Sequence, residues 1–368
     1  MALEAVKPGR ITIEKDFSPS PFMQILVPLI AVILALAICG LFLLLSGQDP
    51  FAAYSKMFFG VIGTSYGMTE TILKAIPLML AGLGLGLAFR MRLWNIGGEG
   101  QLHMGAFAAT GVALFMPDYP IWVVLPLMFL AACFAGGVWA LLCAVPRAYL
   151  GVNETITTLM LNYVAIFWVD YLVYGPWKDP EGFNFPLTAT FSESATLPAL
   201  AGSRIHFGLI IGLIMAVILY VVIYKTRWGY EIRVIGESEP AARYAGMNIR
   251  RQIILVMFVS GALCGLAGMS EVSGLVHRLR PGFSPGYGYT AIIVAWLANL
   301  NPLATVVVAV LFGALETGGY IIQTSGISAN LVSVIQGTLL FFVLGGEILV
   351  RYRIRLAKPA VSAGEDSA

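Results

Sequence analysis

The sequence predicts an all-α, polytopic membrane protein with about ten transmembrane helices, some short or broken, and both termini in the cytoplasm. Three observations lead there. Hydrophobic residues make up 58% of the 368 and charged residues only 11%, with a mean hydropathy of +0.84. Soluble domains carry about 25% charged residues, so most of this surface must face lipid. The apolar residues also gather into runs of about 20, the length that crosses the hydrocarbon layer. Lysine and arginine, finally, fall mainly on one side of the resulting scheme, as expected of a cytoplasmic face.

Taken in order, residues 1–20 are polar and mixed in charge, with Lys7, Arg10, Lys15 and Asp16, and read as a cytoplasmic segment. The run from Phe22 to Leu45 exceeds the ~7–15 residues of a signal-peptide core, so it reads as a retained first span. Further spans are expected near 69–89, 102–117, 121–145, 155–174, 207–224, 252–270, 303–322 and 330–350. Thr290–Leu300 is too short to cross alone unless Gly286–Tyr289 joins it, and is counted as a span that opens irregularly. The membrane domain is thus 21–350, and 351–368 forms a cytoplasmic tail. With the N-terminus inside, sixteen of the 22 lysines and arginines lie on inner segments; Arg278 and Arg280 are the awkward outer pair.

Two loops are long. The outer loop, about 175–205, holds Pro176, Pro180, Pro186 and Pro198 and is expected to form an irregular cap. The inner loop, 225–252, is charged and contains a helix signal. Glu237 and Glu239 precede Pro240, Ala241, Ala242, Arg243 and Tyr244 follow, and Gly246 closes the stretch. Two turns are too short to be stable alone, so this helix needs something to dock on.

Little points to catalysis. The G-x-S-x-G match Gly282-Phe283-Ser284-Pro285-Gly286 precedes a span, and Pro285 lacks the backbone N–H an oxyanion site would use. The three histidines form no H-E-x-x-H, and no P-loop is present. Cys39, Cys133, Cys143 and Cys264 sit unpaired in apolar runs and read as small hydrophobes, with no metal site expected. With a net charge of +2 and dispersed bases, no nucleic-acid partner is expected.

The polar features lie inside or beside spans. Asn95-Ile-Gly-Gly-Glu99-Gly-Gln101 combines glycines, which let a helix break, with amide and carboxylate groups. Irregular backbone at membrane depth survives only beside protein or a watery cavity. It reads either as a discontinuous helix bordering a path or as packing glycines with capping side chains. A second such stretch, Pro281–Tyr289, shares its spacing: Arg90, Arg92, Gly98 and Gly100 lie 188 residues before Arg278, Arg280, Gly286 and Gly288. That spacing fits either an inverted repeat or chance in a glycine-rich chain. Asn153, Glu154 and Asn162 open the fifth span; Asp170, Glu271 and Glu316 are other polar groups at or within spans, with interhelical hydrogen bonding as the plainer role.

Several motifs in order carry a family resemblance. They are Leu93-Trp-Asn-Ile-Gly-Gly-Glu-Gly-Gln101, Gly151-Val-Asn-Glu-Thr-Ile-Thr-Thr-Leu-Met-Leu-Asn-Tyr163, Glu239-Pro-Ala-Ala-Arg-Tyr-Ala-Gly-Met-Asn248, Pro281–Tyr289 and Asn301-Pro-Leu303. From about residue 20 to 350 the chain resembles ABC importer permeases of the nucleoside and simple-sugar type, relatives of ribose and branched-chain amino acid permeases. The resemblance implies a ten-helix permease domain (21–350) in a bacterial inner membrane, working with a second permease subunit, cytoplasmic ABC ATPases and an extracytoplasmic solute-binding lipoprotein. This chain would carry no cofactor, since ATP and Mg²⁺ would bind the ATPases. The helix Glu239–Tyr244 with Gly246 would be the coupling helix. The path residues expected are Asn95, Glu99, Gln101, Asn153, Glu154, Asn162, Ser284 and Tyr287. Trp94 and the stretch Ala295–Leu300, with Trp296, are bulkier than is usual for the family.

Overall fold

The computed structural model describes residues 11–15, 21–200, 202–324, 352–356 and separate positions between 326 and 346. Two compact units are present, Met1–Ala53 with Gly326–Ala368, and Tyr54–Ser325.

In the first unit, helix α1 runs over Pro21–Leu45. The thiol of its buried Cys39 lies 3.7 Å from the carbonyl oxygen of Ile335. The span expected at 330–350 is helical at Leu331, Val332, Ile335 and Phe341; its other positions lie partly outside the described residues. Beside the helices, which carry the expected all-α architecture, stands one short strand pair among the described residues. Strand β1, Ile11–Lys15, pairs antiparallel with a strand at Tyr352–Leu356, with Ile11 opposite Leu356 and Lys15 opposite Tyr352. Tyr352-Arg353-Ile354-Arg355-Leu356 alternates apolar with charged residues, and Ile11-Thr12-Ile13-Glu14 alternates isoleucine with polar residues, a short period-two pattern that the charge content hid.

Helix α2, Pro50–Ile62, was not foreseen. Asp49 caps it, accepting the Phe51 N–H at 2.9 Å, and Pro50 supplies the preset φ of a first turn. The second unit then continues with α3 (Ser65–Arg90), α4 (Gly98–Phe115), α5 (Ile121–Leu150), α6 (Glu154–Tyr174) and α7 (Gly208–Lys225). Two surface helices follow, α8 (Arg227–Glu237) and α9 (Glu239–Tyr244). The chain returns through α10 (Ile249–Glu271), extended by a π-helical turn at Val272–Val276, then α11 (Tyr287–Leu297) and α12 (Pro302–Thr324). Among the described residues, α3, α5, α6, α7, α10 with its extension, and α12 are long and apolar enough to cross a bilayer. This is a multi-pass membrane protein.

Helices α3 and α10 form the centre. In α3, 89% of the apolar window is buried, against 28% in α5 and α7, whose remaining apolar surface is what lipid would cover. Small residues allow the close contacts. A Cβ on Gly136 of α5 would sit 2.3 Å from the Gly261 carbonyl oxygen, and one on Gly265 of α10 would sit 2.2 Å from the Ala132 carbonyl oxygen. Lipid offers no hydrophobic drive between helices, so such backbone approach supplies the packing.

The helices alternate between two ends. At one end Arg90 closes α3 by donating Nη2 hydrogen bonds to the Tyr224 hydroxyl of α7 and to the Leu300 carbonyl, both at 2.9 Å. Helices α8 and α9 lie at this end; Gly236 of α8 packs on the Arg90 carbonyl. At the other end, the loop 175–207 forms a cap stitched to the end of α10. Thr188 N–H donates to the Leu279 carbonyl at 3.1 Å, Phe191 N–H to that of His277 at 2.9 Å, and Leu197 N–H to that of Ser273 at 3.0 Å.

Candidate functional site

Four of the expected path residues lie in one buried knot. The segment 91–97 breaks the chain between α3 and α4, and Asn95 turns its side chain into the bundle. Asn95 Nδ2 donates to Gln101 Oε1 at 3.1 Å, Gln101 Nε2 donates back to Asn95 Oδ1 at 2.9 Å, and Asn95 Nδ2 also reaches Ser260 Oγ on α10 at 3.0 Å. Asn162 of α6 spends its whole amide on the break. Its Oδ1 accepts the Gly100 N–H at 2.8 Å, and its Nδ2 donates to the Ile96 carbonyl at 2.9 Å and the Tyr289 hydroxyl at 3.2 Å. Thr158 Oγ1 accepts the Ile96 N–H at 3.2 Å. Asn95, Glu99, Gln101 and Asn162 are each at most 2% exposed. Their polar atoms satisfy one another and the broken backbone, which is what burial at this depth demands.

Glu99 reaches across to the second glycine stretch. Its Oε2 accepts the backbone N–H of Gly288 in the first turn of α11 at 2.7 Å, where the N-terminal dipole of that helix favours negative charge. The two glycine-rich stretches that share a spacing in sequence thus meet. A Cβ on Gly288 would lie 2.2 Å from the Glu99 nitrogen, so only glycine permits the approach. Gly286 adopts a left-handed φ of 99° just before α11, and Ser284 Oγ accepts the Gly286 and Tyr287 N–H groups, each at 3.2 Å.

Asn153 and Glu154 lie apart from the knot, at the α8–α9 end. Asn153 is exposed and caps α6, accepting the Thr155 N–H at 3.0 Å. Glu154 Oε2 pairs with Arg147 Nε at 3.1 Å, and its Oε1 takes the Trp94 N–H at 3.4 Å. Trp94 in turn stacks on Trp296, ring centroids 5.5 Å apart, so the two unusually bulky positions touch.

Helix α9 forms where the acids, proline and glycine placed it. Ser238 caps it, accepting the Ala241 N–H at 3.3 Å, Glu239 pairs with Arg243 at 2.9 Å, and Gly246 closes it with φ 75°. Ala242 is buried, while Tyr244 is 97% exposed. The preceding α8 escaped sequence reading because its charged residues look like loop; Thr226 caps it, accepting the Gly229 N–H at 3.2 Å.

Tyr287, though only 1% exposed, is the expected path residue that borders a cavity. The cavity measures about 620 Å³ and lies at the cap end. Helix α11 has 11 residues and so rises about 16 Å. That is roughly half the ~30 Å hydrocarbon thickness, and the cavity stands over its N-terminal end. The charged wall consists of Glu70, Lys74, Arg204, Glu271 and Arg280, with Tyr66 and Tyr320 at the rim. Arg204 pairs with Glu70. The sequence singles out Arg280 and Glu271 separately, and nothing in it brings Glu70, Lys74, Arg204, Tyr66 and Tyr320 to the same place. One signal was available: Glu70 and Lys74 are one helical turn apart near the start of α3.

A bundle of long apolar helices with two broken segments and a polar cavity is the architecture of a membrane permease. Over residues 67–344 the chain matches the family described as branched-chain amino acid transport system, permease component, and it belongs to that family. It is a transport subunit rather than an enzyme. It is 39% identical to the glucose ABC transporter permease protein TsgB13 of Haloferax volcanii, over 92% of this chain and 94% of the relative. The guanosine ABC transporter permease protein NupP of Bacillus subtilis is 36% identical over 87% and 93%. The nucleoside ABC transporter permease protein NupB of Lactococcus lactis is 30% identical over 92% and 94%.

Proposed function

We propose that this chain is the membrane-spanning subunit of an ATP-driven importer for nucleosides or simple sugars. The observation that carries this reading is the near full-length similarity to permeases named for glucose, guanosine and nucleosides. Those solutes share a chemistry: small, neutral rings bearing hydroxyl groups. A cavity of about 620 Å³ lies within the ~300–1,000 Å³ range of small-molecule sites.

In this reading the bundle has ten spans with both termini in the cytoplasm of a bacterial cell, the α8–α9 end inside and the cap outside. Inside, α9 docks on an ABC ATPase. Tyr244, almost wholly exposed, and the ion-paired Arg243 are the contacts to expect. ATP and Mg²⁺ are held by the ATPases, not by this chain. Outside, an extracytoplasmic binding lipoprotein delivers solute to the cap, and a second permease subunit completes the channel. The knot of Asn95, Glu99, Gln101 and Asn162 supports the path by holding two broken helices together. Tyr287 and Ser284 stand at its outer side, and Asn153 and Glu154 at its inner end.

Reconstitution with the partner subunits, followed by uptake of radiolabelled guanosine, adenosine, glucose, ribose and leucine, tests this. ATP-dependent uptake of the nucleosides or sugars is the expected result. Uptake of leucine instead would move the chain to the amino acid branch of its family. Uptake driven by an ion gradient without ATP would overturn the reading.

A further inference from the structure

At the end of α3, Arg90 stands where the docking helices meet the bundle. Its Nη2 donates to the Tyr224 hydroxyl of α7 and to the Leu300 carbonyl just past α11, each at 2.9 Å. Its guanidinium carbon lies 5.1 Å from the centroid of the Tyr224 ring, and that of Arg233 on α8 lies 5.7 Å from the same centroid. Helix α8 also packs on the backbone of Arg90. A Cβ on Gly236 would sit 2.1 Å from the Arg90 carbonyl oxygen and 3.3 Å from the Met91 Cα. Only Ser238 separates α8 from α9, and it is bonded to both: its N–H donates to the Val234 carbonyl at 2.9 Å, and its Oγ accepts the Ala241 N–H at 3.3 Å. Contacts therefore run without a gap from the exposed α9 to the end of the short helix α11.

The turn that Arg90 holds is strained. Asn299 and Leu300 both adopt a left-handed backbone, with φ of 49° and 57°; asparagine tolerates this, leucine rarely. Arg92, two residues past Arg90, does the same at φ 59°. Such conformations persist only where surrounding contacts enforce them, and they collect at parts that switch. Arg90 Nε, moreover, is buried and has no hydrogen-bond partner among the described residues. An unpaired buried donor is costly, so a rearrangement of this end that supplies an acceptor is favoured.

Resting on the importer reading, we infer that Arg90 is a positioning residue for transport, the latch through which movement of an ATPase-docked α9 reaches the broken helix α11. Displacement of α9 carries α8 with it, α8 shifts the Arg90 carbonyl and the Tyr224 ring, and the Leu300 carbonyl is released. Trp296 near the end of α11 stacks on Phe89 and Trp94, at centroid distances of 5.7 and 5.5 Å. That end then swings, while Glu99 still holds the first turn of α11 at Gly288.

Uptake and ATP hydrolysis measured together in the reconstituted complex test it, with whichever of radiolabelled guanosine, ribose or glucose the wild type imports. Arg90→Gln should lower the solute imported per ATP hydrolysed by about fivefold or more, the low end of ordinary coupling between sites. The half-saturating solute concentration should not change, since the latch touches no solute. Arg90→Lys, which keeps the charge and a donor, should recover part of the loss. Tyr224→Phe, which removes one hydroxyl and leaves the ring, should fall between Arg90→Gln and wild type; it decides the matter if Arg90→Gln fails to assemble. Gly236→Ala, which drives α8 off the Arg90 carbonyl, should uncouple by itself and add nothing to Arg90→Gln, because both act on one path. A wild-type ratio in Arg90→Gln or, where that variant fails to assemble, in Tyr224→Phe overturns the inference. So do uptake and hydrolysis that fall in step, as a merely structural defect produces, and additive losses in the double variant. Failure of the wild-type complex to import any of these solutes with ATP overturns the underlying reading instead.

Discussion

The Glu99 carboxylate accepts the backbone N–H of Gly288 at 2.7 Å, joining the first turns of α4 and α11 across 189 residues of chain. Both helices begin inside the bundle rather than at its surface, and the first N–H groups of any helix lack partners of their own. Water would normally satisfy them. Here Glu99, Asn162 and Ser284 do so, and that allows the chain to break twice in one neighbourhood without exposing backbone to lipid.

Removing the acceptor should therefore cost more than removing the charge. Glu99→Ala leaves the Gly288 N–H unpaired and is expected to destabilise the protein by about 1–3 kcal/mol. Glu99→Gln, which keeps an acceptor oxygen, should lose less. Unfolding of the purified protein in detergent by graded addition of a denaturing detergent measures both; equal losses would show that the bond contributes little.

Gly288→Ala should be worse still, because the new Cβ would meet the Glu99 nitrogen at 2.2 Å and neither backbone can yield. Loss of monodisperse protein on size exclusion is the expected outcome. Gly86→Ala on α3 is the control: its nearest new neighbour, Ala295 Cβ, is at 3.8 Å, an ordinary contact. A well-behaved Gly288→Ala protein would mean that the two helix starts stand further apart than described.

Tyr244 gives a prediction about coupling. At 97% exposed it contributes little to the fold, so Tyr244→Ala should leave stability within about 0.5 kcal/mol of wild type. The same change should weaken assembly with the ATPase and reduce solute-stimulated ATP hydrolysis in the reconstituted complex. Unaltered stimulation would remove α9 from the coupling contact.

The cap should loosen in mild acid. His206 is 2% exposed, with its ring on Gly274 and its Nδ1 accepting the Gly208 N–H at 3.2 Å. Burial, with a lesser contribution from the charge on His277, lowers its pKa from 6.5 to about 4. Above pH 6.5 the group is neutral whether the cap is packed or open. Between pH 6.5 and 4 the open form binds a proton that the packed form refuses, so cap stability falls as pH falls, by up to about 3 kcal/mol. Hydrogen exchange at Thr188, Phe191 and Leu197, corrected for intrinsic rate, should speed up from pH 7 to pH 5 in the wild type. In His206→Gln it should not; an identical acceleration in that variant would assign the effect elsewhere.

Much of this architecture was legible in the chain. Apolar runs located the long helices to within a few residues because lipid demands continuous apolar length, a requirement each segment must meet on its own. Helix α9 was equally readable, since its acids, proline and glycine act locally. The strands β1 and Tyr352–Leu356 were not, since their partners are more than 300 positions apart, nor was α8, whose charged face resembles a loop.

The candidate site divides along the same line. By itself the sequence determined that Asn95, Glu99, Gln101 and Asn162 needed hydrogen-bond partners at membrane depth, because a buried amide or carboxylate cannot be left unpaired. Only the tertiary structure decided which partners they take: Asn95 with Gln101 and Ser260, Asn162 with the broken backbone, Glu99 with Gly288. It alone gathered Glu70, Lys74, Arg204, Glu271 and Arg280 around one cavity. Desolvation acts on each residue where it stands, whereas ion pairing and cavity shape arise only when distant helices pack.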